Sequence, residues 1–518
     1  MGTRFSGLAL GSLILGAALL APSLAGADSV AAQAAFDKAN TAFRNGDYAG
    51  ALAGYNDALT NGKDGSRLFY NMGLAHYRLN QYSQARWAYT EAAKDDRMAA
   101  LAYYQLGVLA NREGDEHSAE KWFQRSRAEA DSPKLRLLSS RALEKIGSSQ
   151  PHFESAFAAG FGHDSNAFRA PDAPYMDLSQ DPAVSVNPVE QSGSYIPIRL
   201  GATWFNPVSE RSTFVASYRH RGDYYTDTAL DNANETDHRL RLGMERALGD
   251  GKSSSRQLSY SAGIRTYGET NFDRDDGLDR FDDGVSIADR FDYTGADIRA
   301  KLKNRVGQYR YEIDGGYLVR DYEDVAAASS YDLSAYWLHG ALKIALARTT
   351  RLEIGYQHYA RSFDERRARD ANGEASTASP NLEYQYGMLE LGLRHRVSQA
   401  VVTELIYSLT NREDQYVGYN DYTKHKISFE TTVELSDRFT AQVGIDYRDQ
   451  QYDNAFAFDD PTQPAKEYQE FQVTASALYR FTDQLSLRAD VKQEDVDSSD
   501  PRGQYDRLRA GLSVYWDF

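Results

Sequence analysis

Three arginines, Arg44, Arg78 and Arg112, recur at a spacing of 34 residues. A guanidinium repeated at a fixed interval suits the binding of acidic segments or anionic polymers, because its planar fork takes a carboxylate two-pronged. The same register sets Asn40, Phe43, Tyr70, Tyr77, Tyr104 and Asn111 around them, side chains that hydrogen-bond or stack on apolar and sugar faces. The strip reads as a groove for a protein partner or an anionic polymer; the alternative is a solvated arginine face, since exposed charges contribute little. Nothing comparable supports catalysis. The ten histidines show no spacing that would place one beside a Ser or Asp nucleophile. In His163-Asp164-Ser165 neighbouring strand residues point to opposite faces, which makes the run a strand end. The chain has no cysteine, so disulfides, thiolate metal sites, a cysteine nucleophile and a lipid-modified amino-terminal Cys are excluded. The acidic run Asp273 to Gly284 approaches a calcium loop, but its first Gly stands one place too early and no Glu closes it. An acidic external loop is expected there, with no dedicated metal site. No enzyme activity and no cofactor are expected, and the formal net charge of −16 offers nothing to nucleic acid.

The elements that must position the arginines follow from the same register. Ala51, Ala85 and Ala119 are 34 residues apart, as are Tyr55, Tyr89 and Phe123, and Ala39, Gly73 and Gly107. Two antiparallel helices per unit, closely approached through the small residues and with a ring filling each gap, account for that pattern. Pro133 opens a last helix to about Ile146, whose Leu135, Leu137, Leu138 and Leu143 suit a cap over the final repeat.

From His152 onward the periodicity changes from helical to alternating. Leu508, Ala510, Leu512, Val514, Trp516 and Phe518 share one face, with Arg507, Arg509, Gly511, Ser513, Tyr515 and Asp517 on the other. Similar segments recur backward to a count of about sixteen, with fourteen as the lower bound. Odd connections are long, such as Asp164 to Gly193, Asn271 to Ala288 and Asp364 to Pro380, and even ones short, such as Asn206 to Glu210 and Ser436-Asp437-Arg438. That asymmetry is the one that transmembrane barrels show between their outer and inner ends. The inward faces carry charges of both signs, Arg199, Arg241, Arg265, Arg507 and Arg509 against Asp297, Asp446 and Asp490 among them, and mixed signs favour cross-strand ion pairs that stiffen the wall. At the amino terminus Arg4, an apolar run from Leu8 to Leu20 and the small-residue site Ala25-Gly26-Ala27 read as a cleavable secretory leader. No stretch is apolar enough for a membrane helix, so any span must be β.

Four resemblances attach to these residues. Gly46-Asp47-Tyr48 followed by Ala51-Leu52 and Tyr55 resembles the middle of a tetratricopeptide repeat. Gly160-Phe161-Gly162-His163-Asp164-Ser165-Asn166 resembles the opening of barrels encoded with exopolysaccharide genes and of the surface lipoprotein assembly modifier family. A last strand ending in Trp516 and Phe518 resembles the signal read by the outer-membrane insertion machinery. The third long connection corresponds to the loop that folds into the pore of porins. The resemblance implies an α + β multidomain chain: leader 1–27, periplasmic repeats with a capping helix 28–147, and an outer-membrane barrel 148–518. It implies contact with outer-membrane lipid and the barrel assembly machinery, and an export or assembly role in which cargo or a periplasmic partner meets the repeats and the barrel leads to the surface. A passive diffusion porin and a non-conducting scaffold are the alternatives.

Overall fold

The computed structural model describes residues 28–518, apart from 64, 131, 147–150, 180–181, 210, 249–254, 283, 326–330, 348, 399, 437 and 483. The expected leader lies outside the described residues. The chain divides into two compact units, Met1–Glu129 and Ala130–Phe518.

The first unit holds three helix pairs: α1 Asp28–Arg44 with α2 Tyr48–Thr60, α3 Ser66–Arg78 with α4 Tyr82–Ala93, and α5 Asp96–Glu113 with α6 Glu116–Glu129. Local chemistry sets the helix ends. The Asp47 carboxylate accepts from the Gly50 N–H and starts α2, while Gly114, at φ +81°, ends α5 in a left-handed turn. The small residues of the register do what their size allows: Ala51, Ala85 and Ala119 are fully buried. A Cβ placed on Gly73 would stand 2.6 Å from the Tyr89 ring, and one on Gly107 2.7 Å from that of Phe123. Each ring of a second helix therefore lies against a bare backbone of its own first helix. The helix expected as a cap is present as α7 Pro133–Lys145, but it falls in the second unit rather than with the repeats.

The second unit is a closed sheet of sixteen antiparallel strands. In chain order they are β1 His152–Asp164, β2 Gly193–Ser209, β3 Ser212–Tyr225, β4 Glu235–Leu248, β5 Ser255–Glu269, β6 Tyr293–Val306, β7 Tyr309–Tyr322 and β8 Leu333–Ala345. There follow β9 Thr350–Arg367, β10 Asn381–Arg396, β11 Val401–Asp414, β12 Tyr422–Ser436, β13 Phe439–Phe456, β14 Ala465–Arg480, β15 Leu485–Ser498 and β16 Tyr505–Asp517. Each strand pairs with its chain neighbours, and β16 pairs with β1 over Ala156↔Asp517 to Asp164↔Arg509, so the sheet has no edge. The main-chain exchange between Phe518 and Ser155, at 2.8 and 2.9 Å, fastens the last residue into that seam. Long and short connections alternate as expected.

One boundary differs from the sequence reading. Asn206 to Glu210 was the expected turn, yet β2 runs on to Ser209 and the register shifts between Pro207 and Ser209. A proline has no N–H to donate, and a bulge is where a sheet accommodates it, so Pro207 marks an irregularity inside the strand and not its end. Leu508, Leu512, Val514 and Trp516 are 42, 49, 47 and 52% exposed, on a strand whose other face carries the buried Arg507. Comparable apolar rows continue on other strands, as Ile298, Leu338 and Phe429 show. A contiguous exposed apolar band of that extent suits lipid, not water.

Replacing Gly107 by Val should drive two methyl groups into the Phe123 ring. We expect a loss of about 1–3 kcal/mol from the helical unit, read as a lower temperature of the helical circular-dichroism transition with the strand signal unchanged.

Candidate functional site in the barrel lumen and the repeat groove

The seam between β1 and β16 carries the most deeply buried charge pair. Asp164, fully buried, accepts from Arg507 Nη2 at 2.5 Å and Nε at 3.0 Å, and from the Tyr225 hydroxyl at 2.6 Å. Arg509 approaches the same carboxylate at 3.4 Å and donates to Asp223 at 2.9 Å, which also accepts from Arg199 at 2.5 Å. Strands β1, β2, β3 and β16 are thereby joined through side chains as well as backbone. Ser165 and Asn166 extend the joint: the Leu508 N–H donates to Ser165 Oγ at 2.8 Å, and Asn166 Nδ2 donates to the Ala170 and Asp506 carbonyls at 2.9 and 3.1 Å. The Asp-Ser-Asn opening is a latch onto the last strand. The sequence shows Asp164 as a strand end, which it is, but its partners lie far along the chain, Tyr225 at 61 positions and Arg507 at 343, and leave no local mark.

Several other lumen charges meet across strands. Arg241 reaches Asp297 at 2.6 and 2.7 Å, Arg265 reaches Asp237 at 2.8 and 3.1 Å, and Arg448 reaches Glu470 at 2.6 Å. Among the described residues one mixed carboxylate and histidine cluster stands out, Glu312, Asp314 and His339. Lys301 pairs with Glu312, while His339 and Trp337 Nε1 engage Asp314 at 3.0 and 3.1 Å, so internal partners occupy it.

Above the strands the long connections fold together. Residues 270–292, between β5 and β6, are held by residues 165–192, between β1 and β2. The Val189 N–H donates to the Asp275 carbonyl at 2.9 Å, the Tyr175 hydroxyl to the Asp275 carboxylate at 2.8 Å, and Gln191 Nε2 to the Asp276 carbonyl at 2.7 Å. Gly277, at φ +77°, lies so close to the buried Phe168 ring that a Cβ would meet it at 2.0 Å. The loop then reaches a wall that is no neighbour of β5: the Arg274 guanidinium lies 4.9 Å over the Tyr505 ring of β16 and bonds the main-chain oxygens of Arg169 and Arg502. A cavity of about 540 Å³ remains beneath, lined by Arg169, Arg274 and Arg280 from the loops and by Arg448, Glu470 and Lys492 from β13 to β15. In strand order β13 stands diametrically across from β5. The acids of the 273–284 run serve the fold of the loops: Asp275 takes Tyr175, Asp276 takes the Leu278 N–H, and Asp279 takes Asn232. Burial and the neighbouring Asp273 push the Asp275 carboxyl up, despite the Tyr175 hydrogen bond that opposes them, and burial pulls Arg274 below the ordinary arginine range.

In the repeats, Arg44, Arg78 and Arg112 lie at or near the ends of α1, α3 and α5 and all are exposed. They are not equivalent in their contacts. Arg44 donates to Thr41 Oγ1 at 3.1 Å, whereas Arg112 folds back over Tyr77 and Tyr82, at 5.4 and 5.2 Å, and donates to the Tyr77 hydroxyl at 3.3 Å. Asn40 accepts from the Tyr55 hydroxyl at 2.9 Å and from Asn71 at 2.8 Å, and Tyr70 accepts from Gln105 at 3.1 Å. Tyr104 packs on Phe123 at 5.5 Å. A cavity of about 530 Å³ opens beside Asn40, Phe43, Arg44 and Asn71. The reading of the sequence missed Asn71; the polar run Asp37, Asn71, Gln105, again 34 apart, is the signal that marks it. Trp516 and Phe518 lie on the exposed outer face with their rings 5.2 Å apart.

Changing Arg507 to Met should leave the buried Asp164 with only the Tyr225 hydroxyl and the more distant Arg509, at a cost of up to about 3–5 kcal/mol. The barrel should then lose its detergent-resistant folded form at a lower temperature, and the double change Asp164→Leu with Arg507→Met should recover much of that loss. Equal heat-modifiability of all three proteins would remove the pair from the stability of the seam.

A family model described as tetratricopeptide repeat matches residues 70–133. No curated protein matches the chain. Among solved structures, OmpT, an outer membrane protein of Vibrio cholerae, aligns at 8% identity over 71% of this chain and 97% of its own, with a TM-score of 0.38. A bacterial polysaccharide outer membrane secretin aligns at 8% over 70% and 98%, with a TM-score of 0.38. A mutant of the Rh. blastica porin aligns at 10% over 71% and 100%, with a TM-score of 0.32. The architecture is that of tetratricopeptide repeats, three helix pairs in a 34-residue register, followed by a closed sixteen-strand β-barrel with an apolar exterior of the transmembrane type.

Proposed function

We propose that the protein is an export or assembly component of the outer membrane, with its repeats in the periplasm taking up cargo or a partner and its barrel serving as the route to the surface. The observation that carries this reading is the knitting of connections 165–192 and 270–292 over the lumen, tied to β16 through Arg274. A barrel held narrow by such contacts suits gated passage of one class of material, and a groove-bearing domain on the same chain supplies a place to select it. The exported material is an exopolysaccharide or a surface lipoprotein. The barrel assembly machinery is the partner expected at Trp516 and Phe518. The inward fold of residues 270–292 taken by itself also fits a passive diffusion pore, which is the second reading.

The test is deletion of the gene in its own host, with polysaccharide and lipoprotein at the surface of intact cells measured by antibody or lectin. Surface material should fall and accumulate inside. The wild-type gene should restore it, while Arg44→Gln, Arg78→Gln and Arg112→Gln together should restore barrel insertion without export. Unchanged surface material combined with slower uptake of small solutes would establish the diffusion pore instead.

A further inference from the structure

The cavity beneath the 270–292 connection has an unbalanced set of charges. Arg448 is matched by Glu470 at 2.6 Å, Lys492 by Glu494 at 2.7 Å, and Arg280 faces Asp273 at 4.0 Å. Arg169 and Arg274, which line the same cavity, form no ion pair among the described residues. Glu269, the carboxylate in electrostatic reach of Arg169, takes its side-chain hydrogen bond from Tyr267. Arg274 is bound only to main-chain oxygens, and its Nε, like that of Arg448, has no acceptor. Asp275, the carboxylate in electrostatic reach of Arg274, likewise takes its side-chain hydrogen bond from Tyr175. A half-buried guanidinium whose nearest carboxylate is engaged elsewhere is costly, and an arriving anion relieves that cost.

The backbone points the same way. Arg169 sits at φ +53°, a left-handed conformation that a residue with a Cβ rarely adopts. Strain of that kind persists where the surroundings impose it and is found at ligand clamps. Here Asn166 fixes the turn through both the N–H and the C=O of Ala170. Beside the two arginines the cavity presents the half-buried rings of Phe272, Phe291 and Tyr505. Rings offer apolar faces to a sugar, and guanidinium forks offer paired donors to a carboxylate.

We infer that this cavity is a subsite for a carboxylate-bearing sugar unit, with Arg169 and Arg274 as the cations that hold the carboxylate, so that the polymer passing the barrel is an acidic polysaccharide. The inference rests on the export reading for its passage through the barrel, but the binding itself does not. An acidic peptide would satisfy the arginines but would leave the rings without a partner.

The experiment titrates hexagalacturonate calorimetrically into the full-length protein in detergent, with maltohexaose and a hexaglutamate peptide as the contrasting probes. Hexagalacturonate should bind at least about tenfold more tightly than either, and more weakly as salt rises. Arg274→Gln and Arg169→Gln should each weaken it about tenfold or more, as expected for one charge-assisted hydrogen-bonding group, in protein that keeps its heat-modifiable form. If Arg274→Gln does not fold, Arg169→Gln carries the test alone. Equal binding of maltohexaose or of hexaglutamate overturns the proposal, as does no binding of hexagalacturonate. So does a loss of binding confined to Arg78→Gln, which would put the site in the repeats. The titration uses purified protein, so a negative result in the gene-deletion experiment leaves it standing, and the converse also holds.

Discussion

A sheet surrounded by hydrocarbon must pair every backbone N–H and C=O within itself, and the rest of this barrel depends on the one pairing that is not between chain neighbours. That pairing joins β1 to β16, and its strength cannot come from the backbone ladder alone, because an open sheet would form the same ladders everywhere else. The side chains at its upper end supply the specificity. Asp164 is fully buried and paired to Arg507 and Tyr225, and Asn166 ties the start of the first long connection to the Asp506 carbonyl. A buried charge pair adds little net stability, but either partner left alone is strongly unfavourable, so the pair selects the closed register over slipped ones. At the lower end Phe518 exchanges main-chain bonds with Ser155.

Once the sheet is closed, the lumen face of each strand is committed. Pairing brings Arg241 against Asp297 and Arg265 against Asp237, which stiffens the wall. Wall arginines such as Arg361 and Arg448 nevertheless keep an Nε without an acceptor. Arg169 and Arg274, which line the cavity without an ion pair among the described residues, come from connections and not from strands. Much of the wall is paired within itself, and the loops bring further charge to the passage. The outer face follows a different rule, with apolar side chains on every second position because the solvent there is lipid.

The sequence revealed what is periodic. Ala51, Ala85 and Ala119 repeat because small residues are needed at each helix crossing, and Leu508 to Phe518 alternate because the strand has two different solvents. Chain order and the alternation of long and short connections were legible for the same reason. Features set by contacts between distant segments were not. Pro207 looked like a turn because a proline ends most strands, whereas the bulge that tolerates it is visible only against β3. Asp164 looked like a strand end, and Arg274 like one charge in an acidic run, since their partners Arg507 and Tyr505 lie hundreds of residues away. In the repeats the three arginines keep their register, yet Arg112 folds onto Tyr77 and Tyr82 while Arg44 bonds Thr41, a difference the shared spacing does not reveal.

The central claim is that residues 270–292 enter the lumen and rest on β16. The native chain has no cysteine, so the paired substitutions Arg274→Cys and Tyr505→Cys can be cross-linked with a short bis-maleimide on intact cells without background. The account predicts an efficient intramolecular cross-link, seen as faster migration of the denatured protein, and slow labelling of position 274 by a bulky impermeant maleimide. No cross-link, together with labelling of position 274 as fast as that of the exposed tip at Tyr416, would contradict it.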